Sequence, residues 1–290
     1  MTHRSAPARV IVTGAGGFLG RRLVATLRRL GKDVAPLSRA DGFDLLRDDF
    51  PSLGQEDHVF HMAAETGVPD SWQDPVHFHL VNAHGTVRVL DACRRAGASM
   101  TYVGAYIYGV PRELPISEAH PLDVNNPYAF SKWMGEQACA WFSATYSMPV
   151  TAIRLFNVYG AGQSDRFVIS RIVSQILDAG TQEIHLMDLA PRRDYLYVDD
   201  AVAALIACIP DSGMRILNVG SGTSSSLHDV LEAAFLATGQ RKPVHVSGEV
   251  RPNEIPDVRA DCTAIREAYG WLPRFGLREG IARMVEELRS

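Results

Sequence analysis

The chain has 290 residues, 46% of them hydrophobic, and a formal net charge of -4 from 29 basic and 33 acidic side chains. That length holds one large domain or two moderate ones, and the mixed, unblocked charge lacks the basic stripe of a nucleic-acid binder. Four cysteines, Cys93, Cys139, Cys208 and Cys262, stand far apart without a C-x-x-C pair; they read as buried free thiols in a reducing cytosol, not as a disulfide framework or a zinc site. The opening residues lack the apolar core of a signal peptide, and no window reaches the ~18 apolar residues of a membrane span. A cytoplasmic chain with no membrane partner is expected.

"RVIVTGA" is a β-branched run ending in glycine. "FLGRRLVATLRRLG" follows, with Leu19, Leu23, Val24 and Leu27 at helical spacing and Gly31 as a stop. "DVAPLSR" and "HVFHMAA" read as strands and "HLVNAHGTVRVLDACRRAG" as one long helix. "MTYVGAYIYG" is the next strand, "PYAFSKWMGEQACAWFSATYS" the next helix, and "VTAIRLFNVYG" a further strand. Strands separated by helical patterns pair in parallel through right-handed crossovers, and near-continuous apolar strands fit a sheet covered on both faces. After about residue 160 the rhythm loosens: "RFVISRIVSQILDAG" predicts a helix, "RRDYLYVDDAVAALIACI" a strand and a helix, "RILNVGSG" a strand, and "SLHDVLEAAFLATG", "DCTAIREAYGW" and "LREGIARMVEELR" three more helices. The pattern is α/β, with a large domain over 1–160 and a smaller, partly interleaved portion over 161–290, since "RILNVG" is able to return to the main sheet.

Gly14, Gly17 and Gly20 stand at G-x-x-G-x-x-G spacing between the first strand and the first helix. Glycines there permit a tight turn and let backbone approach a pyrophosphate, which the helix N-terminus favours with amide donors and a positive dipole end. The expected fold is therefore a Rossmann-type doubly wound parallel sheet, with NAD or NADP as cofactor. The end of the second strand, where an acid would bond the adenosine ribose, reads Ser38-Arg39. Arg39 suits a 2′-phosphate, and equally a solvated loop position stacked on adenine. Asp44, followed by Leu45, is placed for the adenine amino group, or is a turn residue. Further along, Tyr128 and Lys132 are four apart on one predicted helix, hence on one face. A Lys ammonium close to a phenol lowers its pKa from ~10 toward neutrality and fits it to exchange protons.

The stretches "VTGAGGFLG", "HVFHMAAETGVPDSWQDP", "NAHGTVRVLDAC", "YIYG", "NPYAFSK", "RLFNVYGAGQ", "RRDYLYVDD", "LNVGSG" and "RPNEIPDVRAD" run in order across nearly the whole chain. In them the chain resembles the extended short-chain dehydrogenases, the NAD-dependent epimerase/dehydratase family, which act on nucleotide-diphosphate sugars. The resemblance implies that the smaller C-terminal portion binds substrate. It implies that Gly14, Gly17, Phe18, Leu19 and Gly20 form the dinucleotide loop, that Ala63 and Ala64 pass along the cofactor, and that Asn82 ties its helix to the adjacent strand. Tyr128 and Lys132 become the catalytic and cofactor-binding pair. Phe156 and Asn157 border the nicotinamide and the sugar phosphates. Arg193 and Arg251 hold the diphosphate, their alternative being ordinary pairing with Asp194 and Glu254. A homodimer through the helices of Asn82 and Tyr128 is implied, and no metal; His58, His61, His77, His79 and His84 are expected as core or surface residues.

Within the family the reaction turns on the end of "MTYVGAYIYG". Dehydratases resemble one another in an Asp-Glu pair where this chain has Ala105 and Tyr106, and related decarboxylases carry a Glu in that turn, so both reactions are disfavoured. The Ser/Thr hydroxyl that bonds the substrate oxygen aligns with Gly104. Substrate or water fills its place, Thr66 or Tyr106 substitutes for it, or the protein is slow. Hydride transfer at sugar carbon 4 remains, as an epimerase first and as an NADPH-dependent 4-ketoreductase of a 4-keto-6-deoxy sugar second. A non-catalytic dinucleotide sensor or scaffold is the reading from another class.

Overall fold

A computed structural model describes residues 7–249 and 254–290. The chain divides into two compact units. The first comprises the chain up to Gly109, Pro121–Leu155 and Val202–Asn218. It opens with strand β1 (Val10–Thr13) and helix α1 (Phe18–Arg29), which buries Leu23, Val24 and Leu27 and ends on Arg28 and Arg29, cations suited to a helix C-terminus. β2 (Val34–Leu37), β3 (His58–His61), β4 (Ser99–Ala105) and β5 (Val150–Leu155) follow. β1 pairs in parallel with β2 and β3, β3 with β4, and β4 with β5. The order across the sheet is Met214–Val219, β5, β4, β3, β1, β2, so "RILNVG" does return to the main sheet, as its edge. Ile11, Val59, Val89, Leu90, Met100 and Val150, each under 1% exposed, form the centre of a core cluster. Full burial of such side chains contributes about 1.5–3 kcal/mol each.

Three predicted elements differ in detail. The helix expected over "HLVNAHGTVRVLDACRRAG" is broken: after the short helices α2 (Val68–Gln73) and α3 (Pro75–His79) comes a π-helical turn, Leu80–His84, and only then α4 (Gly85–Ala96). The wider turn carries Asn82, whose buried side chain reaches across to other elements. The strand in "MTYVGAYIYG" stops at Ala105, and the chain turns at Gly109, whose φ is +64°. "VTAIRLFNVYG" is two strands: after β5, the segment Asn157–Tyr159 leaves the sheet and pairs with Tyr195–Tyr197. The helix α5 (Pro127–Tyr146) begins where "NPY" predicts. Asn126 caps it by accepting from the Ala129 amide, and Pro127 sits in its first turn, where no intrahelical amide bond is needed.

The second unit comprises Val110–His120, Phe156–Ala201 and Val219–Ser290. Its helix Val168–Leu177 buries Ile169, Ile172, Val173 and Ile176 along one face. The helix Leu227–Thr238 starts in a capping box in which Ser226 and Asp229 satisfy each other's amides. Two small sheets pair Ser225–Ser226 with Arg192–Arg193 and Val244–Val246 with Ile184–Leu186. Cys93, Cys139 and Cys208 are buried and, like Cys262, carry thiols outside any disulfide. Among the described residues no helix is long and apolar enough to cross a membrane.

Candidate active site

The turn after β1 is built from close backbone approaches. Gly14 has φ +70°, and a Cβ there would lie 2.7 Å from the Ala63 amide nitrogen; at Gly20 it would lie 2.2 Å from the Gly14 carbonyl oxygen. Gly17 starts α1 with no side-chain cap and no acid in the first turn. The amides and the positive dipole end are thus left for an anion of another molecule, and these residues fit a dinucleotide pyrophosphate. Phe18, Leu19, Ala63 and Ala64 are half-buried around the turn.

A buried relay holds the turn in place. The Ala63 and Met62 amides donate to Thr13 Oγ1, which is 2.8 Å from His61 Nδ1; His61 Nε2 is 3.0 Å from Thr86 Oγ1, and that hydroxyl donates to the Asn82 carbonyl. Burial, with the Lys132 charge nearby, pushes the His61 pKa down to about 3, so the ring is neutral. Asn82 accepts from the Glu65 amide and donates to the Glu65 carbonyl and to Ser131 Oγ. It ties the segment after β3 to α5. Asp44 is engaged as a turn residue, accepting from the Leu46 amide, and Leu45 packs in the core beside Gly85. Arg39 forms an ion pair with Glu65.

α5 presents Tyr128, Lys132 and Glu136 at successive four-residue steps. Lys132 is buried, its ammonium 2.7 Å from the Val103 carbonyl oxygen and 4.6 Å above the Tyr102 ring. The Tyr102 hydroxyl donates to the Lys132 carbonyl, passing close to Gly135, where any Cβ would meet it at 2.5 Å. Burial lowers the Lys132 pKa to about 8. Tyr128 stacks edge-on against Phe78 of α3. Its pKa moves opposite to the sequence expectation: burial, with Tyr106 adding to it, pushes the phenol up to about 12. The ammonium expected to lower it is turned to the Val103 carbonyl instead, and desolvation of the phenolate dominates.

Gly104 lies in β4 opposite Arg154, and a Cβ at this position would come within 3.0 Å of the Ile153 carbonyl oxygen. Of the two hydroxyls weighed as substitutes, Tyr106 stands near enough to Tyr128 to raise its pKa, whereas Thr66 is exposed after β3. Ala105 is half-buried at the strand's last position.

Sequence reasoning missed the buried group beneath this strand end. Arg154 makes a two-pronged pair with Glu136 (2.9 and 2.6 Å) and donates to the Tyr108 hydroxyl, which donates to Asn218 Oδ1 at 2.6 Å. The signals were present: Glu136 repeats the four-residue step past Lys132, and Arg154 is the lone charge in an apolar strand.

In the second unit, Asn157 bonds the Asp194 carbonyl through both its amide and its side chain. Phe156 is buried, its amide bonded to Val219. Arg193 pairs with Glu254 and donates to the Ile255 carbonyl. Asp194, the other partner weighed for it, instead accepts from the amides of Ser221, Gly222 and Ala260 and from the Ser221 hydroxyl; burial raises its pKa against those bonds. Arg251 lies outside the described residues. His58 bonds Ser99 and Thr101 in the core, and His77 and His79 lie on the short helix α3.

Residues 10–220 match the NAD dependent epimerase/dehydratase family. The chain is 32% identical to the UDP-glucose 4-epimerase of Mycolicibacterium smegmatis, over 97% of this chain and 99% of that one. It is 30% identical to the GDP-6-deoxy-D-mannose reductase of Pseudomonas aeruginosa, over 97% of each. The structure of MoeE5 in complex with UDP-glucose and NAD superposes with a TM-score of 0.86 at 29% identity, covering 97% of this chain and 98% of that one. A family match over most of the sequence, a glycine turn shaped for a pyrophosphate and a Tyr-Lys face on α5 agree, and the chain belongs to the NAD dependent epimerase/dehydratase family.

Proposed function

We propose that this chain is an enzyme that binds NAD or NADP and transfers hydride at carbon 4 of a nucleotide-diphosphate sugar, acting as a 4-epimerase. The observation that carries the reading is the α5 face: Tyr128 and a buried Lys132 on one helix, joined through Asn82 to the segment after β3 that packs against the glycine turn. The glycine turn, Ala63 and Ala64 hold the cofactor, which when bound supplies the hydride acceptor and donor. Tyr128 exchanges the proton of the sugar hydroxyl. Oxidation would require the Tyr128 phenolate, which takes the hydroxyl proton as hydride leaves carbon 4 for the bound dinucleotide; in the return step hydride would reach the opposite face of the ketone carbon and the phenol would give the proton back to its oxygen. Lys132 fixes the strand end and α5 relative to each other, and Tyr106 supplies the second hydroxyl in place of the side chain Gly104 lacks. Asn157, Arg193 and Arg251 bind the diphosphate, for which Arg193 must exchange Glu254 for phosphate oxygens.

One observation favours a second reading. The Tyr128 phenol is held protonated, which suits donation to a ketone oxygen and fits an NADPH-dependent 4-ketoreductase. We further propose a homodimer through α4 and α5, where Val87, Phe130, Met134 and Trp141 leave large apolar surface exposed, and a cytoplasmic location. The test is proton NMR of the purified protein with UDP-glucose and no added reductant. Inversion at carbon 4 supports the epimerase. Its absence, with NADPH consumed when a nucleotide-diphospho-4-keto-6-deoxy sugar is added, establishes the reductase. Inertness toward both overturns hydride transfer and leaves a dinucleotide sensor.

A further inference from the structure

The end of β2 lacks the acid that reads a ribose hydroxyl, yet an acid stands beside it. β1 lies between β2 and β3 in the sheet. Arg39 follows β2 and Glu65 follows β3, so their ion pair, 2.6 Å between Nη2 and Oε1, spans two strand spacings, about 9.5 Å, across the end of the strand that carries the glycine turn. The two partners are not equally free. The Arg39 side chain is 74% exposed and Glu65 25%. Glu65 is also pinned at both backbone groups by Asn82, itself 1% exposed. The carboxylate is the fixed member and draws the arginine to it. His77 Nε2 lies 3.4 Å from the same Glu65 oxygen. Ser38 and Asp41, the other polar groups of the turn after β2, are spent on each other at 2.5 Å.

We propose that Glu65 sets the dinucleotide preference of this chain, by holding Arg39 in an ion pair that denies its guanidinium to a 2′-phosphate and so leaves NAD the favoured cofactor. A 2′-phosphate brings nearly two negative charges to a place where the Arg39 cation is already neutralised and a fixed carboxylate stands beside it. A ribose with a free 2′-hydroxyl brings none. The inference rests on the dinucleotide-binding reading above and adds to it a residue that an inspection of strand 2 alone does not reach.

The test is calorimetric titration of the dinucleotide-stripped full chain with NAD+ and with NADP+, for the wild type, Glu65→Gln, Arg39→Gln and the double variant. Glu65→Gln keeps the bonds to Asn82, which use only backbone. The wild type is expected to bind NAD+ the more tightly. Glu65→Gln should tighten NADP+ by roughly fivefold, the upper end of what an exposed charge pair is worth, and leave NAD+ within about twofold. Arg39→Gln alone should change NADP+ binding by less than about threefold, and in the double variant it should erase the gain. A wild type that prefers NADP+, an unchanged ratio in Glu65→Gln, or a tenfold loss of NADP+ binding in Arg39→Gln alone overturns the proposal. Failure of both dinucleotides to bind any variant sinks the dinucleotide-binding reading, and this inference with it.

Discussion

Two strand ends of one sheet, β1 and β4, both run into glycine, and the glycines do different things. At β1 they are demanded by backbone: Cβ atoms at Gly14 and Gly20 would meet main-chain atoms at 2.7 and 2.2 Å. At β4, Gly104 has only a tight neighbour, the Ile153 carbonyl oxygen at 3.0 Å. The first end is a fixed cradle. The second is a place where a side chain is missing but nearly fits, above a buried and fully bonded polar group. One end is defined by shape and the other by what Tyr128, Tyr106 and Lys132 supply around the gap.

The largest stability effect is expected below β4. Glu136→Ala leaves Arg154 charged and buried without its partner, which costs about 3–5 kcal/mol, read as a fall in the denaturant midpoint at unchanged slope. Gly20→Ala at the other end forces backbone to move and should cost about 1–3 kcal/mol, with loss of NAD+ binding larger than that stability loss alone explains. Gly104→Ser should cost less, about 1 kcal/mol, a fall of a few degrees in Tm, with kcat within about threefold because Tyr106 already stands beside Tyr128. A tenfold rise in kcat would show that the missing hydroxyl limits the reaction.

A pH dependence is also expected. The Lys132 pKa is lowered by burial to about 8 from 10.5. Between those values the unfolded chain binds more protons than the folded one, so stability rises with pH across that window. The penalty for the buried charge is fully present below about pH 8. Comparing urea midpoints of the wild type and Lys132→Met from pH 7.5 to 10.5 should show the wild type gaining relative to the variant. A parallel course would mean that Lys132 titrates as it does in water.

The strand-helix alternation, the glycine turn and the Asn126-Pro127 helix start were legible because each is set by residues adjacent in sequence. The break of the helix at Leu80–His84 and the split of "VTAIRLFNVYG" were not, since both are imposed by partners far along the chain: Glu65 and Ser131 for the first, Tyr195–Tyr197 for the second. The Tyr-Lys pair was legible by spacing, but the direction of the Tyr128 pKa was not. Spacing places an ammonium on the same helix face, while burial and the Val103 carbonyl decide where it points and which charge is costly. Glu65 escaped notice for a similar reason, as its partner Arg39 sits after a different strand.

The central claim is hydride transfer at a sugar with Tyr128 as the proton-transfer group. The most direct measurement is the absorbance band of reduced nicotinamide in the wild type and in Tyr128→Phe, each loaded with NAD+ and mixed with UDP-glucose in single turnover. The account predicts that the band forms in the wild type and forms 10²–10⁴-fold more slowly in the variant, the usual worth of a positioned acid-base group, with UDP-glucose affinity little changed. Equal rates in the two proteins would contradict it.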